Sequence, residues 1–273
     1  MKRLSILMLA LLCITGCKEE KKTEEKKITT QPETFVPTIE YTLVESIPHD
    51  TASYTEGLLF HNQQLFESTG SPESLPYTKS VFGAVDPKTG KIDVKAELDK
   101  TQYFGEGITF LNDKVYQLTY TTQIGFIYDA KSFKQLGRFS FSNTEGWGLT
   151  TDGKSIIMSD GTNVLTYLDP ATLKPTKTLS VRNAGYAEDY LNELEYINGF
   201  IYANIWMKNY IVKIDPATGD VVGILDVSML LNKAKSKYAH SDVVNGIAYN
   251  PDTDKIYVTG KLWPEIYQIN FKH

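Results

Sequence analysis

Four short segments, far apart in the chain, place a carboxylate or an amide directly before an apolar strand. They are Glu56 before Gly57-Leu58-Leu59-Phe60, Glu106 before Gly107-Ile108-Thr109-Phe110, Glu193 (with Asn192 beside it) before Leu194, and Asn245 before Gly246-Ile247. A fifth, Trp147-Gly148-Leu149-Thr150, carries an aromatic residue at that place. Carboxyl and amide groups brought together can move protons where burial lifts one carboxyl toward neutral pH. They can equally offer oxygen ligands to a hard cation such as calcium. Zinc chemistry of the paired-histidine kind is not expected, because the four histidines (His49, His61, His240, His273) show no paired spacing.

The elements that must position these residues repeat. Each segment runs into a hairpin whose turn holds Asn62, Asn112-Asp113, Asp152-Gly153, Asn198-Gly199 or Asn250-Pro251-Asp252, the residues tight turns demand. A second turn motif follows four of them: Asp86-Pro87-Lys88-Thr89-Gly90, Asp129-Ala130-Lys131-Ser132, Asp169-Pro170-Ala171-Thr172 and Asp215-Pro216-Ala217-Thr218-Gly219. Two hairpins make one four-stranded blade, and units of about 40–50 residues suit a propeller. The pattern therefore predicts an all-β fold, a five-bladed β-propeller. The last unit is one strand short, and Tyr41 to Ile47 is an orphan strand at the other terminus. Joining the two would close the ring and remove exposed edges. An up-and-down barrel would match the strand count but not the alternation of two turn motifs. In the propeller the five segment starts aim at one mouth of the axis, with Glu56, Glu106, Trp147, Glu193 and Asn245 equivalent. A polar channel filled by water or an ion would use the same residues.

The N-terminus reads as an address. Lys2 and Arg3 precede an apolar run, Leu4 to Ile14, too short to span a bilayer. Ile14-Thr15-Gly16-Cys17 resembles a bacterial lipobox, so residues 1–16 are expected to be removed and Cys17 lipidated. Cys13 would leave with the leader, which excludes disulfides, a cysteine nucleophile and thiolate-bound zinc from the fold. Residues 17–40, with alternating Lys and Glu and then Thr and Pro, are expected to be a flexible tether, and 41–273 the folded domain. The acidic pair Glu19-Glu20 resembles surface-export signals of some bacterial lipoproteins. The expected location is extracytoplasmic, on a bacterial membrane through the lipid alone, in the periplasm or on the surface, as a monomer. A formal net charge of −5 gives nucleic-acid binding no electrostatic footing.

The segments Tyr54-Thr55-Glu56-Gly57-Leu58, Tyr103-Phe104-Gly105-Glu106-Gly107, Gly146-Trp147-Gly148-Leu149, Leu191-Asn192-Glu193-Leu194-Glu195-Tyr196, Ala203-Asn204-Ile205-Trp206 and Val258-Thr259-Gly260-Lys261-Leu262-Trp263-Pro264 together resemble the plant and bacterial glutaminyl cyclases. The resemblance runs in order over residues 41 to 271. It implies a propeller that converts N-terminal glutamine of peptides and proteins to pyroglutamate, releasing ammonia without a required cofactor. It assigns proton transfer to Glu106 and stabilisation of the developing oxyanion to Lys261 and Asn192. Tyr54, Tyr120, Trp147, Trp206 and Trp263 match positions that shape the family's substrate pocket. Tyr120 stands where the plant pattern has Trp. Glu56 stands where it has Gln, which puts a carboxylate on the blade adjoining Glu106; if the two carboxyls approach, like-charge repulsion raises one pKa and the pair is coupled. A structural calcium in the channel is compatible with this reading. Two others stay open on the residues alone: a calcium-dependent, lactonase-like propeller hydrolase using Glu56, Asn192 and Asn245, and a surface-binding propeller without catalysis.

Overall fold

The computed structural model describes residues 35–273. The leader, Cys17 and most of the tether lie outside the described residues. Strand β1 (Thr42–Pro48) precedes a first blade of β2 (Tyr54–His61), β3 (Gln64–Gly70), β4 (Val81–Val85) and β5 (Ile92–Glu97). The second blade comprises β6 (Gly105–Leu111), β7 (Lys114–Thr119), β8 (Ile124–Asp129) and β9 (Gln135–Ser140). The third comprises β10 (Leu149–Thr151), β11 (Ile156–Met158), β12 (Val164–Leu168) and β13 (Pro175–Ser180). A small hairpin, β14 (Arg182–Asn183) and β15 (Tyr186–Ala187), leads to the fourth: β16 (Leu191–Ile197), β17 (Phe200–Ile205), β18 (Tyr210–Ile214) and β19 (Val221–Asp226). Helix α1 (Ser228–Lys237) then precedes β20 (Val244–Asn250), β21 (Lys255–Gly260) and β22 (Glu265–Asn270). The fifth blade is completed by β1, antiparallel to β22 from Thr42↔Asn270 to Pro48↔Glu265. This is the five-bladed propeller and the terminal closure that the repeats predicted.

Burial follows position in the blade. Inner strand β6 is buried on both faces, as neighbouring blades pack against each, whereas outermost β13 is almost wholly exposed. The second turn motif works through its aspartate. Asp169 Oδ1 accepts the Ala171 and Thr172 N–H groups at 3.1 and 2.7 Å, an Asx turn; Asp129 does the same, and Asp86 accepts the Lys88 N–H and the Thr89 hydroxyl. These bonds to the charged form hold all three carboxyls below the usual aspartate range.

Close approach at the axis explains two glycines. A Cβ on Gly107 would lie 2.5 Å from Leu149 N, and one on Gly148 would lie 2.2 Å from Asn192 O, so the backbones of successive blades touch there. Four of the five inner strands also share a β-bulge. The pairing register slips between Thr55 and Gly57, Gly105 and Ile108, Leu191 and Leu194, and Val244 and Ile247. Bulges re-aim side chains next to sites, and here they turn Glu56, Glu106, Asn192 and Asn245 to a common position.

That register corrects one expected equivalence. Asn192, rather than Glu193, occupies the position of Glu56 and Glu106, and Glu193 stands where the first two blades have Gly57 and Gly107. Its side chain fills the space a glycine would leave. Glu193 Oε1 accepts Leu58 N–H at 3.2 Å and Oε2 accepts Ile247 N–H at 2.8 Å, tying the fourth blade to the first and fifth. The sequence held a signal for this: Leu194 follows Glu193 directly, whereas a glycine follows Glu56, Glu106 and Asn245.

Three further features depart from expectation. The tether ends earlier than Glu40: Ile39 N–H donates to Ile224 O at 2.7 Å and Ile224 N–H to Pro37 O at 3.0 Å. Ile39 packs over Gly223, where a Cβ would meet it at 2.6 Å. Helix α1 buries Leu230, Leu231 and Ala234 against the fourth and fifth blades, and hairpin β14–β15 was likewise not evident. No helix among the described residues is long and apolar enough to cross a membrane. The ring closure is pinned by buried His49, just past β1. Its Nε2 lies 3.0 Å from Glu67 Oε1 and its Nδ1 2.8 Å from Trp263 O, while Thr55 Oγ1 donates to Glu67 at 2.7 Å. Burial opposes the imidazolium, but Glu67 outweighs it and raises the pKa of His49.

Candidate active site

A cavity of about 670 Å³ opens at one mouth of the axis. It gathers Glu56, Glu106, Asn192 and Lys261 at its floor, with Tyr54, Tyr120, Trp147 and Trp206 in its walls. Eight of the nine side chains expected there, drawn from all five blades, thus converge.

The floor is a buried charge network. Lys261, at the end of β21, donates from Nζ to Glu56 Oε1 at 2.6 Å. Asn245 Nδ2 donates to Glu56 Oε2 at 3.0 Å and to Thr55 O at 2.9 Å. The Lys261 ammonium also sits 4.4 Å from the Tyr54 ring centroid, a cation–π contact. Burial works against that ammonium, but Glu56, Tyr54 and Glu106 together hold its pKa above the ordinary lysine value.

Glu106 lines the same cavity as Glu56, near enough for the two carboxyls to shift each other's titration. Its Oε2 is buried without a hydrogen-bond partner in the protein, as is Asn192 Oδ1. Burial raises the pKa of Glu106 well above the carboxylate range, and the Glu56 charge raises it further, with Lys261 opposing. Glu56 is also raised by burial, but Lys261 works directly against that shift. The pair therefore favours a proton on Glu106 and the negative charge on Glu56, where Lys261 and Asn245 stabilise it.

The walls are aromatic. Tyr54 and Phe104 meet edge-on at 6.2 Å, Phe104 and Tyr120 at 5.9 Å, and Trp147 and Trp206 edge-on at 5.8 Å. Trp263 does not line the cavity, against expectation. It is completely buried, its Nε1–H donates to Asp242 O at 2.8 Å, and its indole covers Gly260 so closely that a Cβ there would approach to 2.3 Å. It packs edge-on against Tyr267 at 5.8 Å, beneath the segment that presents Lys261. Sequence reading missed Glu145, Phe104 and Tyr190, which also line the cavity. Glu145 accepts Trp147 Nε1–H at 2.8 Å and, after burial, is the leading cause raising the pKa of Tyr120. Its place two residues before Trp147 was the one available signal. Among the described residues no three His, Cys, Asp or Glu side chains cluster so as to hold a metal ion.

The model of the glutamine cyclotransferase family matches residues 8–271. A glutaminyl-peptide cyclotransferase of Arabidopsis thaliana is 43% identical over 235 residues, covering 85% of this chain and 72% of the plant protein. Among solved structures, the glutaminyl cyclase of Myxococcus xanthus superposes with a TM-score of 0.79 at 31% identity, over 87% of this chain and 99% of that one. With its five blades, its aromatic cavity and a match over nearly its whole length, the chain belongs to the glutamine cyclotransferase family.

Proposed function

We propose that the protein cyclises N-terminal glutamine of peptides and proteins to pyroglutamate, with Glu106 carrying the proton. The observation that supports this most is Glu106 itself, a buried carboxyl with raised pKa and one oxygen unpartnered, facing a cavity of substrate size. The reaction joins the substrate's α-nitrogen to its own γ-carbonyl carbon and breaks the bond from that carbon to the amide nitrogen. Because nucleophile and electrophile belong to one residue, proximity is largely built in and no enzyme nucleophile is needed. Glu106, holding the proton, delivers it to the departing nitrogen, which leaves as ammonia, and the resulting carboxylate takes the proton that the α-nitrogen gives up on ring closure. A raised pKa suits a group that must both accept and give near neutral pH.

Charge developing on the γ-oxygen requires fixed donors. Asn192 lines the same cavity as Glu106 and offers its carboxamide N–H groups as donors, and the Lys261 ammonium supplies positive charge to the same floor. Glu56 orients Lys261 and biases the proton toward Glu106. The aromatic walls exclude water and hold the glutamine side chain. Ammonia release from a Gln-initiated dipeptide by the folded domain tests the reading. Its absence, with folding confirmed, would leave the surface-binding alternative. We further infer that no metal is required, so turnover should survive EDTA; loss on chelation and recovery with calcium would favour the hydrolase alternative or a structural ion. The lipid anchor on Cys17 and the extracytoplasmic location belong to the same proposal. A Cys17→Ser variant should lose metabolic labelling by a fatty-acid analogue and leave the membrane fraction.

A further inference from the structure

Beside the cavity, the surface carries large apolar side chains that are not packed into the core. Tyr190 and Trp206 line the cavity wall and also face out, 51% and 38% exposed, with their rings 5.7 Å apart. Met207 follows Trp206 in the turn from β17 to β18 and is 64% exposed. Tyr190 and Met207 both hold left-handed backbone, at φ +68° and +62°. That region suits Gly or Asn and costs a bulky side chain about 1–2 kcal/mol. Tyr190 is tied to the segment that carries Met207, since Trp206 N–H donates to Tyr190 O at 2.9 Å, and Tyr190 N–H donates to Gly161 O at 2.9 Å. Strain held at exposed apolar residues, on the edge of a binding cavity, marks a contact surface for a ligand.

We propose that Tyr190, Trp206 and Met207 form the subsite for the residue that follows the N-terminal glutamine, and that they select an apolar or aromatic side chain there. The inference rests on the cyclase reading. The shelf is continuous with the cavity through Tyr190 and Trp206, so a peptide whose first residue occupies the floor passes over it on leaving. An aromatic side chain laid on two rings and a thioether gains dispersion and ring-packing energy and covers surface that is otherwise wet. A glycine at that place gains nothing.

The test compares ammonia release from Gln-Phe-amide and Gln-Gly-amide. The wild-type kcat/KM should favour Gln-Phe-amide by roughly tenfold, the order expected of one aromatic contact. Met207→Asn, whose side chain tolerates left-handed backbone, should pull that ratio down several-fold, chiefly through the KM for Gln-Phe-amide. Met207→Asp should in addition raise Gln-Lys-amide relative to Gln-Phe-amide. A wild-type ratio near one, or a ratio that neither substitution moves, would overturn the proposal. A change instead in Tyr77→Ala would also overturn it, by assigning the second residue to the neighbouring groove past Tyr54 and Pro72. Failure of the cyclase reading looks different, because wild-type protein would then release ammonia from none of the three amides.

Discussion

Glu106 and Glu193 stand one position apart in the repeat, both buried near the propeller axis, and the molecule uses them in opposite ways. Both oxygens of Glu193 are taken by backbone N–H groups of other blades. Glu106 has a carboxyl neighbour on one side and an unpartnered oxygen on the other. Burial raises the pKa of both, with Glu195 adding to the shift at Glu193 and Glu56 at Glu106. A perturbed pKa therefore does not separate them. Partners and access do: a buried carboxyl whose acceptors are all used holds a structure together, while one left with an acceptor facing a cavity is available to a substrate.

The comparison breaks most visibly at Glu106. Glu106→Gln keeps shape and size but cannot shuttle a proton, and kcat should fall by about a thousandfold, within the usual range for general acid–base groups. Thermal unfolding should be unchanged or slightly raised, since the variant replaces a carboxyl whose charged form burial opposes with a neutral group of the same shape. Glu193→Ala should do the reverse. It strands the Leu58 and Ile247 N–H groups in the interior, at about 1–3 kcal/mol for each, so the melting temperature should drop by roughly 10 °C. The kcat/KM on a Gln-initiated dipeptide, measured well below that temperature, should stay within a few-fold. Equal losses of activity in the two variants would erase the distinction between them.

The sequence carried the architecture well because each of its signals is local. The Asp86, Asp129, Asp169 and Asp215 turns are written in four or five consecutive residues, and so are the paired hairpins. Blade count and ring closure followed from repetition alone. What escaped depends on register or on distant contacts. The bulge that sends Asn192 into the cavity and Glu193 into the channel shifts the pairing by one residue without changing the hydrophobic pattern. Trp263 and Trp206 are both tryptophans just past an inner hairpin, yet one meets Gly260 and is sealed beneath Lys261 while the other meets Trp147 at the opening. Helix α1 follows no repeat, and its apolar face (Leu230, Leu231, Ala234) is brief. Glu145 gained its place only through its bond from Trp147 and its position on the cavity wall with Tyr120.

A smaller effect sharpens the Glu106 side of the comparison. Glu56→Gln removes a negative charge that helps hold the Glu106 pKa up and frees Lys261 to act on Glu106 alone. Both changes favour the carboxylate, so the limb of the kcat/KM profile governed by Glu106 should move to lower pH. A substantial part of the maximal rate should remain, because the Gln carboxamide oxygen still accepts from Lys261 and keeps it in place, at the loss of the bond from Asn245. An upward or absent shift would mean that the two carboxyls are not coupled as the geometry describes.

The smallest effect belongs to both carboxyls at once, and it sets the pH dependence of stability. Glu56, Glu106, Glu193 and Glu195 all have folded pKa values raised above the unfolded one, chiefly by burial, and Glu195 reaches about 8. A carboxyl of this kind binds its proton more tightly folded than unfolded, so it favours the fold at low pH and loses that contribution as pH rises through the folded value. His49 acts in the same direction, since its raised pKa gives stability below the unfolded value of 6.5 that is lost as pH rises through the folded one. Urea midpoints of the folded domain should therefore fall between about pH 5 and pH 8, where many proteins are near their plateau. Glu193→Gln should flatten that slope while leaving the Glu106 limb of the activity profile in place. A midpoint that rises over the same interval would show that the channel carboxylates are ionised at little cost, and that the backbone donors to Glu193 outweigh its burial.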